Sequence, residues 1–194
     1  MKPSIILCCL LLTSCTFSKE SQIIHKKIPF DVNTQAKLRM YGSYNMDLIR
    51  NYTDTDCTQW ENTKRNSANR RFINGLPRKA RNISIGIPPT NLSKNTEKDT
   101  GMVIRDTYRE ITIPAGKPIV LDGASSIISN NRRIECRIAT SFTPKAGKYY
   151  ETRYVITPTS CNIEVYNILD KKQDDINLTS KISTEYCKKP KTSF

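Results

Sequence analysis

Residues 134–168 read IECRIATSFTPKAGKYYETRYVITPTSCNIEVYNI, and this stretch decides the fold class. Its hydrophobic residues alternate with polar ones, which is typical of half-buried β-strands. Turns rich in Pro, Gly and Ser at 143–147 and 157–160 separate three such strands, 134–142, 149–157 and 161–168. The pattern predicts a three-stranded meander within an all-β domain, a single small β-sandwich or partly open barrel with long polar loops and two disulfides.

The same alternation continues towards the N-terminus. Apolar residues at 36, 38 and 40 alternate with polar neighbours, and a Gly42-Ser43 turn before residues 46–52 makes a candidate hairpin. Further short strands are predicted at 83–87, 108–113 and 119–121, while residues 90–101 read as a polar loop. No segment shows a sustained helical period.

Composition limits the classes of protein that fit. The 194 residues suit one domain of ordinary size, and 37% hydrophobic residues are enough to form a core. A mean hydropathy of −0.52 excludes a bundle of membrane-spanning helices. Lys and Arg number 31 against 18 Asp and Glu, so the formal net charge is +13.

The N-terminal segment, MKPSIILCCLLLTSC, reads as a secretory signal peptide over residues 1–14. Its last four residues, Leu12 to Cys15, resemble the lipobox of bacterial lipoproteins, which implies lipidation and cleavage at Cys15. The alternative is an ordinary secretory signal with an incidental cysteine. Thr16 follows Cys15 where Asp would resemble an inner-membrane retention signal, so we expect an anchor in the outer membrane, on its periplasmic side.

The mature chain divides by composition. Residues 15–27 are expected to be the lipidated cysteine and a flexible tether, residues 28–187 the β-sandwich domain, and residues 188–194 a basic tail. Removal of residues 1–14 takes away only Lys2, so the mature chain stays strongly basic.

Four cysteines remain after the signal peptide and the lipidated residue are set aside: Cys57, Cys136, Cys161 and Cys187. An even number in an oxidising compartment indicates two disulfides, with three possible connectivities. Placing residues 136 and 161 at the same end of the predicted meander favours Cys136–Cys161 with Cys57–Cys187. A metal site is disfavoured because no pair has C-x-x-C spacing and the single His, His25, lies in the tether.

Four short motifs, spread over most of residues 36–165, resemble uncharacterised small lipoproteins of Gram-negative bacteria, including Acinetobacter-like species. They are Arg39–Gly42, Ser84–Pro88, Tyr108–Glu110 before Ile113–Pro118, and Cys136 ahead of Ser141–Glu151. The resemblance implies the fold and the location, and it assigns no catalytic residue.

Standard catalytic and nucleotide-binding signatures are missing from the sequence, among them G-x-S-x-G, H-E-x-x-H and G-x-x-x-x-G-K. The carboxylate pairs Asp54/Asp56 and Asp174/Asp175 lie in polar, turn-like surroundings and read as solvated surface. We therefore expect a protein that is not an enzyme and needs no cofactor.

The basic segment, residues 64–81, is the main functional signal, and its cations are predicted to bind anions. They are Lys64, Arg65, Arg70, Arg71, Arg78, Lys79 and Arg81. We read the segment as a long exposed loop, whose partners would be lipopolysaccharide phosphates, anionic lipid or acidic peptidoglycan peptides. A charged loop without a ligand is the alternative. Nucleic acid is disfavoured because only Trp60 and Phe72 supply nearby stacking surfaces.

These observations predict a non-enzymatic lipoprotein, anchored in the outer membrane through Cys15, that acts as an interaction or structural module of the cell envelope. Two alternatives remain: a subunit of a secretion or envelope assembly, and an inhibitor or immunity protein that blocks a periplasmic enzyme.

Overall fold

Fourteen strands and one short α-helix make up the part of the chain that the computed structural model describes. The described residues are 23–42, 48–63, 67–68, 72–73, 76–77, 81–98, 106–129, 132–157 and 159–187. The strands are β1 (Ile23–His25), β2 (Gln35–Gly42), β3 (Leu48–Thr53), β4 (Ser67–Ala68), β5 (Phe72–Ile73), β6 (Leu76–Pro77), β7 (Asn82–Ser84), β8 (Thr107–Pro114), β9 (Ile119–Ser129), β10 (Arg132–Phe142), β11 (Tyr149–Ile156), β12 (Cys161–Gln173), β13 (Ile176–Lys181) and β14 (Glu185–Tyr186). The helix α1 spans Asn91–Lys98, and a 3₁₀-helix spans Trp60–Asn62.

Two sheets pack face to face, which confirms the all-β class and the sandwich architecture. In the described residues one sheet has seven strands in the order β1-β7-β8-β2-β11-β12-β13. The other has five strands in the order β14-β10-β9-β3-β4, and β5 and β6 form a separate two-stranded ribbon. The β9–β10 pair is the longest, with eleven residue pairs in antiparallel register.

The hydrophobic core fills the space between the two sheets. Each sheet contributes alternate residues, such as Leu38 and Val165 from the seven-stranded sheet and Ile49 and Leu121 from the five-stranded sheet, all completely buried. Gly123 on β9 permits an especially close approach, because a Cβ atom there would lie 2.7 Å from the ring of Tyr154. The two sheets are therefore in direct contact at the centre of β9.

The predicted meander is wrong. Strand β11 pairs with β12 as expected, but β10 belongs to the opposite sheet, so residues 143–148 cross between sheets. The candidate hairpin over 36–52 is wrong for the same reason, since β2 and β3 lie in different sheets. A period of two shows which residues face the core, but it does not show which sheet a strand joins.

Helix α1 occupies the segment that was expected to be a polar loop. Thr90 caps its N-terminus: the Ser93 amide donates to Thr90 Oγ1 at 3.2 Å, and the Thr90 amide donates to Ser93 Oγ at 2.9 Å. The face that the helix buries carries Ser93 and Thr96. Its buried face is polar, so the sequence shows no apolar helical period.

Two boundaries also differ from expectation. Residues Ile23–His25 form β1, which pairs in parallel with β7, so the sheet begins inside the segment 15–27 that was assigned to the tether. The basic segment is not one long loop, because it contains β4, β5 and β6, and β4 pairs with β3. Among the described residues no helix is long and apolar enough to cross a membrane.

Candidate functional site

Both disulfides are confirmed with the favoured connectivity. Cys57 bonds to Cys187 with Cα atoms 4.6 Å apart, and Cys136 bonds to Cys161 with Cα atoms 6.1 Å apart. The second bond joins β10 to the first residue of β12 and so links the two sheets. The reasoning from a meander was wrong, yet the pairing was right, because the two strands face each other across the sandwich.

Most of the predicted functional residues lie outside the described residues. Cys15 is one of them, and so are all cations of the basic segment except Arg81. Arg81 is half-buried and directly precedes β7. The described part of the chain contains no group of three His, Cys, Asp or Glu side chains that could hold a metal ion.

The acidic pairs lie on the surface, as predicted. Asp54 is exposed and forms a 3.1 Å ion pair with the equally exposed Lys117. Asp56 accepts hydrogen bonds from the amide and the hydroxyl of Thr58, and these bonds lower the pKa of its carboxyl. Asp174 and Asp175 form an exposed turn with positive φ angles.

A buried row of charges, which the sequence pattern did not predict, lies on the outer face of the seven-stranded sheet. Arg39 on β2 is the direct cross-strand partner of Glu110 on β8 and of Glu151 on β11. The side chains of all three residues are at most 2% exposed. We call this group, with Tyr41 and Thr90, the ionic network.

Arg39 is held by both carboxylates and by the backbone carbonyl groups of residues 87 and 88. Its Nη2 lies 2.8 Å from Glu110 Oε1, and its Nη1 lies 3.6 Å from Glu151 Oε2. Nη2 also donates to the carbonyl oxygens of Ile87 and Pro88 at 2.9 and 3.0 Å. Burial alone would lower the pKa of this guanidinium, but the surrounding phenol and carboxylates outweigh burial and raise it.

Glu110 anchors the segment that covers this face. Its Oε2 accepts hydrogen bonds from the amides of Ile85 and Ile87, at 2.7 and 3.1 Å, and from Ser84 Oγ at 3.0 Å. The covering segment, residues 85–98, continues through α1, and the Asn177 amide on β13 donates to Pro89 O at 2.9 Å. The covering segment therefore buries the part of the outer face that carries Arg39, Glu110 and Glu151.

Glu151 accepts hydrogen bonds from two hydroxyl groups and from Arg153, whose Nη2 donates to Oε1 at 3.4 Å. Thr90 Oγ1 donates to its Oε2 at 2.7 Å and Tyr41 Oη donates to the same atom at 3.0 Å. Burial raises the pKa of the Tyr41 phenol, so the hydroxyl remains a donor at neutral pH. Both carboxylates thus accept hydrogen bonds from several donors inside the fold.

A third buried carboxylate lies on the outer face of the five-stranded sheet. Asp122 accepts two hydrogen bonds from Arg137, both at 2.8 Å, and lies 3.4 Å from Arg50. The hydrogen bond to Asp122 raises the pKa of Arg137, whose guanidinium also lies 5.7 Å from the centre of the Trp60 ring. Residues 54–63, tied down by the Cys57–Cys187 bond, cover this face.

Cations line a groove at the edge of the sandwich where β1, β7 and β8 lie. Lys26, which follows β1, and Arg109, on β8, contribute to a groove of about 430 Å³ between the sheets, and Asn51 on β3 lines it from the other side. Asn51 is 2% exposed, and its Oδ1 has no hydrogen-bond partner among the described residues. Arg81 directly precedes β7, and Ile83 on β7 lines the groove. The C-terminal end of the basic segment therefore adjoins this basic groove.

The four motifs that carry the lipoprotein resemblance meet in the ionic network. Arg39 and Tyr41 come from the first motif, Ser84–Pro88 is the second, and Glu110 and Glu151 belong to the third and fourth. Their co-occurrence was the only sequence signal for the network. Comparisons with protein-family models, with curated proteins and with solved structures gave no match to this chain.

Proposed function

We propose that this protein is a non-enzymatic lipoprotein of the bacterial cell envelope, anchored in the outer membrane through Cys15, whose basic segment binds anionic envelope components. The main observation behind the proposal is the position of Arg81, the one cation of that segment among the described residues. Arg81 leads into the sheet edge where Lys26 and Arg109 line the basic groove, so cations from distant parts of the chain share one edge.

The distribution of carboxylates supports a cationic surface. Glu110, Glu151 and Asp122 have fully buried side chains and are paired with arginines inside the fold. These acidic groups therefore do not neutralise the exposed cations, and the formal excess of +13 is concentrated outside the core.

Four cations of the basic segment lie close in sequence to the two strands of the β5–β6 ribbon. Phe72 and Pro77 are cross-strand partners. The chain enters β5 from Arg71 and leaves β6 into Arg78, with Arg70 and Lys79 one residue further on either side. Clustered cations attract an anionic surface collectively, with about 1 kcal/mol contributed by each one near the surface.

Neutralising the cations around the ribbon tests the proposal. The variant Arg70→Gln, Arg71→Gln, Arg78→Gln, Lys79→Gln should bind lipopolysaccharide or anionic liposomes more weakly by about 4 kcal/mol, and the binding of the parent should weaken steeply with salt. Arg81 is left unchanged because it is half-buried. Co-sedimentation over a range of salt concentrations measures both effects.

The matched control removes the same charge elsewhere. Glutamine at the exposed residues Lys98, Lys117, Lys171 and Lys172 should leave binding much closer to that of the parent. Equal losses in the two quadruple variants would mean that only net charge matters. If the ribbon variant bound as tightly as the parent, and a stoichiometric protein co-purified from solubilised envelopes, the assembly-subunit or inhibitor function would replace the proposal.

The lipid anchor has a separate test. Cys15→Ala should abolish metabolic labelling with palmitate and leave the signal peptide uncleaved by the lipoprotein peptidase, because the acylated thiol is lost. Cys9→Ala, within the same hydrophobic region, should keep both labelling and cleavage. Unchanged labelling of the Cys15 variant would refute the lipobox assignment.

A further inference from the structure

A second cationic site lies at the end of the sandwich where the chain crosses from β10 to β11. A cleft of about 350 Å³ opens there between the two sheets. Phe142 and Lys145 line it from the crossing, Tyr150 from β11 and Asn167 from β12. We call it the lysine cleft, because Lys148 also lies on its rim. Most of its lining residues belong to the Ser141–Glu151 motif, and none belongs to the basic segment.

The two lysines of the cleft carry charge that the described part of the chain does not neutralise. Lys145 and Lys148 are both exposed, and no carboxylate among the described residues lies within ion-pair distance of either ammonium group. By contrast, exposed Lys117 and Lys181 each pair with a nearby carboxylate. The cleft therefore presents two positive charges to solvent.

The backbone that carries these lysines is fixed by hydrogen bonds. Gly147 adopts a φ of +70°, and a Cβ atom there would lie 3.2 Å from Val32 O, which favours glycine at this turn. The Gly147 amide donates to Gln35 O at 2.8 Å, and the Lys37 amide donates to Lys148 O at 3.0 Å. The backbone that carries both lysines is thus fixed before any ligand arrives, so binding does not have to order it.

The floor of the cleft supplies directional polar groups. The Lys145 amide donates to Tyr150 Oη at 3.0 Å, so the phenol proton itself is left to donate to another group. Burial raises the pKa of Tyr150, which keeps that proton in place at neutral pH. Asn167 Oδ1 is buried and has no hydrogen-bond partner among the described residues. A ligand that both accepts and donates would satisfy these two groups.

We infer that the lysine cleft binds a small sugar bearing a carboxylate or phosphate group. The anionic group suits the two ammonium groups, the sugar hydroxyls suit Asn167 and Tyr150, and Phe142 offers an apolar wall for the ring carbons. The volume lies near the lower end of the range of about 300–1,000 Å³ for ligand pockets, which fits one sugar ring. A bare carboxylate has no proton to donate to Asn167.

Calorimetry on the full mature chain in detergent micelles tests this inference with four probes: glucose 6-phosphate, glucuronate, glucose and inorganic phosphate. At least one of the two anionic sugars should bind about tenfold or more tightly than both glucose and inorganic phosphate. Which anionic sugar binds identifies the anionic group. Lys145→Gln with Lys148→Gln should lower that affinity about tenfold or more, because both charges are lost.

Matched variants distinguish binding at the lysine cleft from nonspecific attraction to the positive charge of the protein. Lys171→Gln with Lys172→Gln removes the same charge from the exposed end of β12 and should change the affinity less than about twofold. Asn167→Leu should weaken binding of the anionic sugar but not of inorganic phosphate. Ser183→Ala, on the exposed rim, provides a second polar test if the Asn167 variant does not fold.

The inference is overturned if no probe binds, if inorganic phosphate binds as tightly as the sugars, or if the two double variants lose affinity equally. The quadruple variant of the basic segment should keep its sugar affinity. Sugar binding and lipopolysaccharide binding can therefore fail independently, which distinguishes this site from the proposed function.

Discussion

Arg39→Met should lower the free energy of unfolding by about 3–5 kcal/mol, because it removes the arginine that pairs with buried Glu110 and leaves Glu151 with only Arg153, 3.4 Å from its Oε1. Glu110 and Glu151 have completely buried side chains, and the guanidinium between them also holds the carbonyl groups of the covering segment. Urea unfolding with both disulfides intact measures the change as a shift in midpoint at constant slope.

Lys181→Met is the matched control for this substitution. Its ammonium group lies 2.6 Å from Glu164, as close as any contact of Arg39, but its side chain is 55% exposed. An exposed ion pair contributes only about 0–1 kcal/mol, so this variant should be nearly as stable as the parent. A loss below about 1 kcal/mol for Arg39→Met, or equal losses in the two variants, would contradict a structural role for the network.

The triple variant Arg39→Met, Glu110→Gln, Glu151→Gln tests the cause of the effect. Neutral amides replace the charged groups, so no isolated charge remains in the interior and part of the lost stability should return. If the triple variant were less stable than Arg39→Met alone, hydrogen bonds to the carboxylates rather than buried charge would dominate the energetics.

Removing the Cys57–Cys187 bond is the other change with a large expected effect. Cys57→Ala with Cys187→Ala should cost about 2–5 kcal/mol, because the bond closes a span of 130 residues and restricts the unfolded chain. In the folded state the same bond holds β14 beside β10 and keeps residues 54–63, with Trp60, on the outer face of the five-stranded sheet. Denaturant unfolding under non-oxidising, non-reducing conditions measures the loss.

The second disulfide is the internal comparison. Cys136→Ala with Cys161→Ala opens a span of only 25 residues, so chain entropy predicts a loss smaller by about 1–2 kcal/mol. A larger loss for this variant would show that linking the two sheets matters more than the length of the span. In the mature parent, alkylation without reductant should modify none of the four cysteines, and two or more modified cysteines would contradict the pairing.

Several features could be predicted from the sequence because they depend on neighbouring residues. The alternation in residues 134–168 located β11 and most of β10 and β12, since burial of one face follows directly from a period of two. The cysteine count gave two disulfides. The acidic pairs at 54/56 and 174/175 were correctly placed on the surface from their turn-like surroundings.

The ionic network and the lysine cleft could be identified only from the tertiary structure. Arg39, Glu110 and Glu151 are separated by 71 and 41 positions, and only the pairing of β2 with both β8 and β11 brings them into one row. Arg39 was one of the polar neighbours that alternate with the apolar residues at 36, 38 and 40, and this alternation does not reveal that residues 85–98 cover its face of the sheet. The lysine cleft is similar: Lys145 and Tyr150 are near neighbours in sequence, but Asn167 joins them only through the β11–β12 pairing.

The sequence by itself determined the all-β class, the approximate strands and the number of disulfides, because local periodicity and cysteine number carry that information. The tertiary structure alone decided the sheet to which each strand belongs, the helix at Asn91–Lys98 and the burial of the ionic network. These features depend on contacts between residues far apart in the chain. Their stability comes from a cross-strand register and a polar helix face that no local pattern encodes.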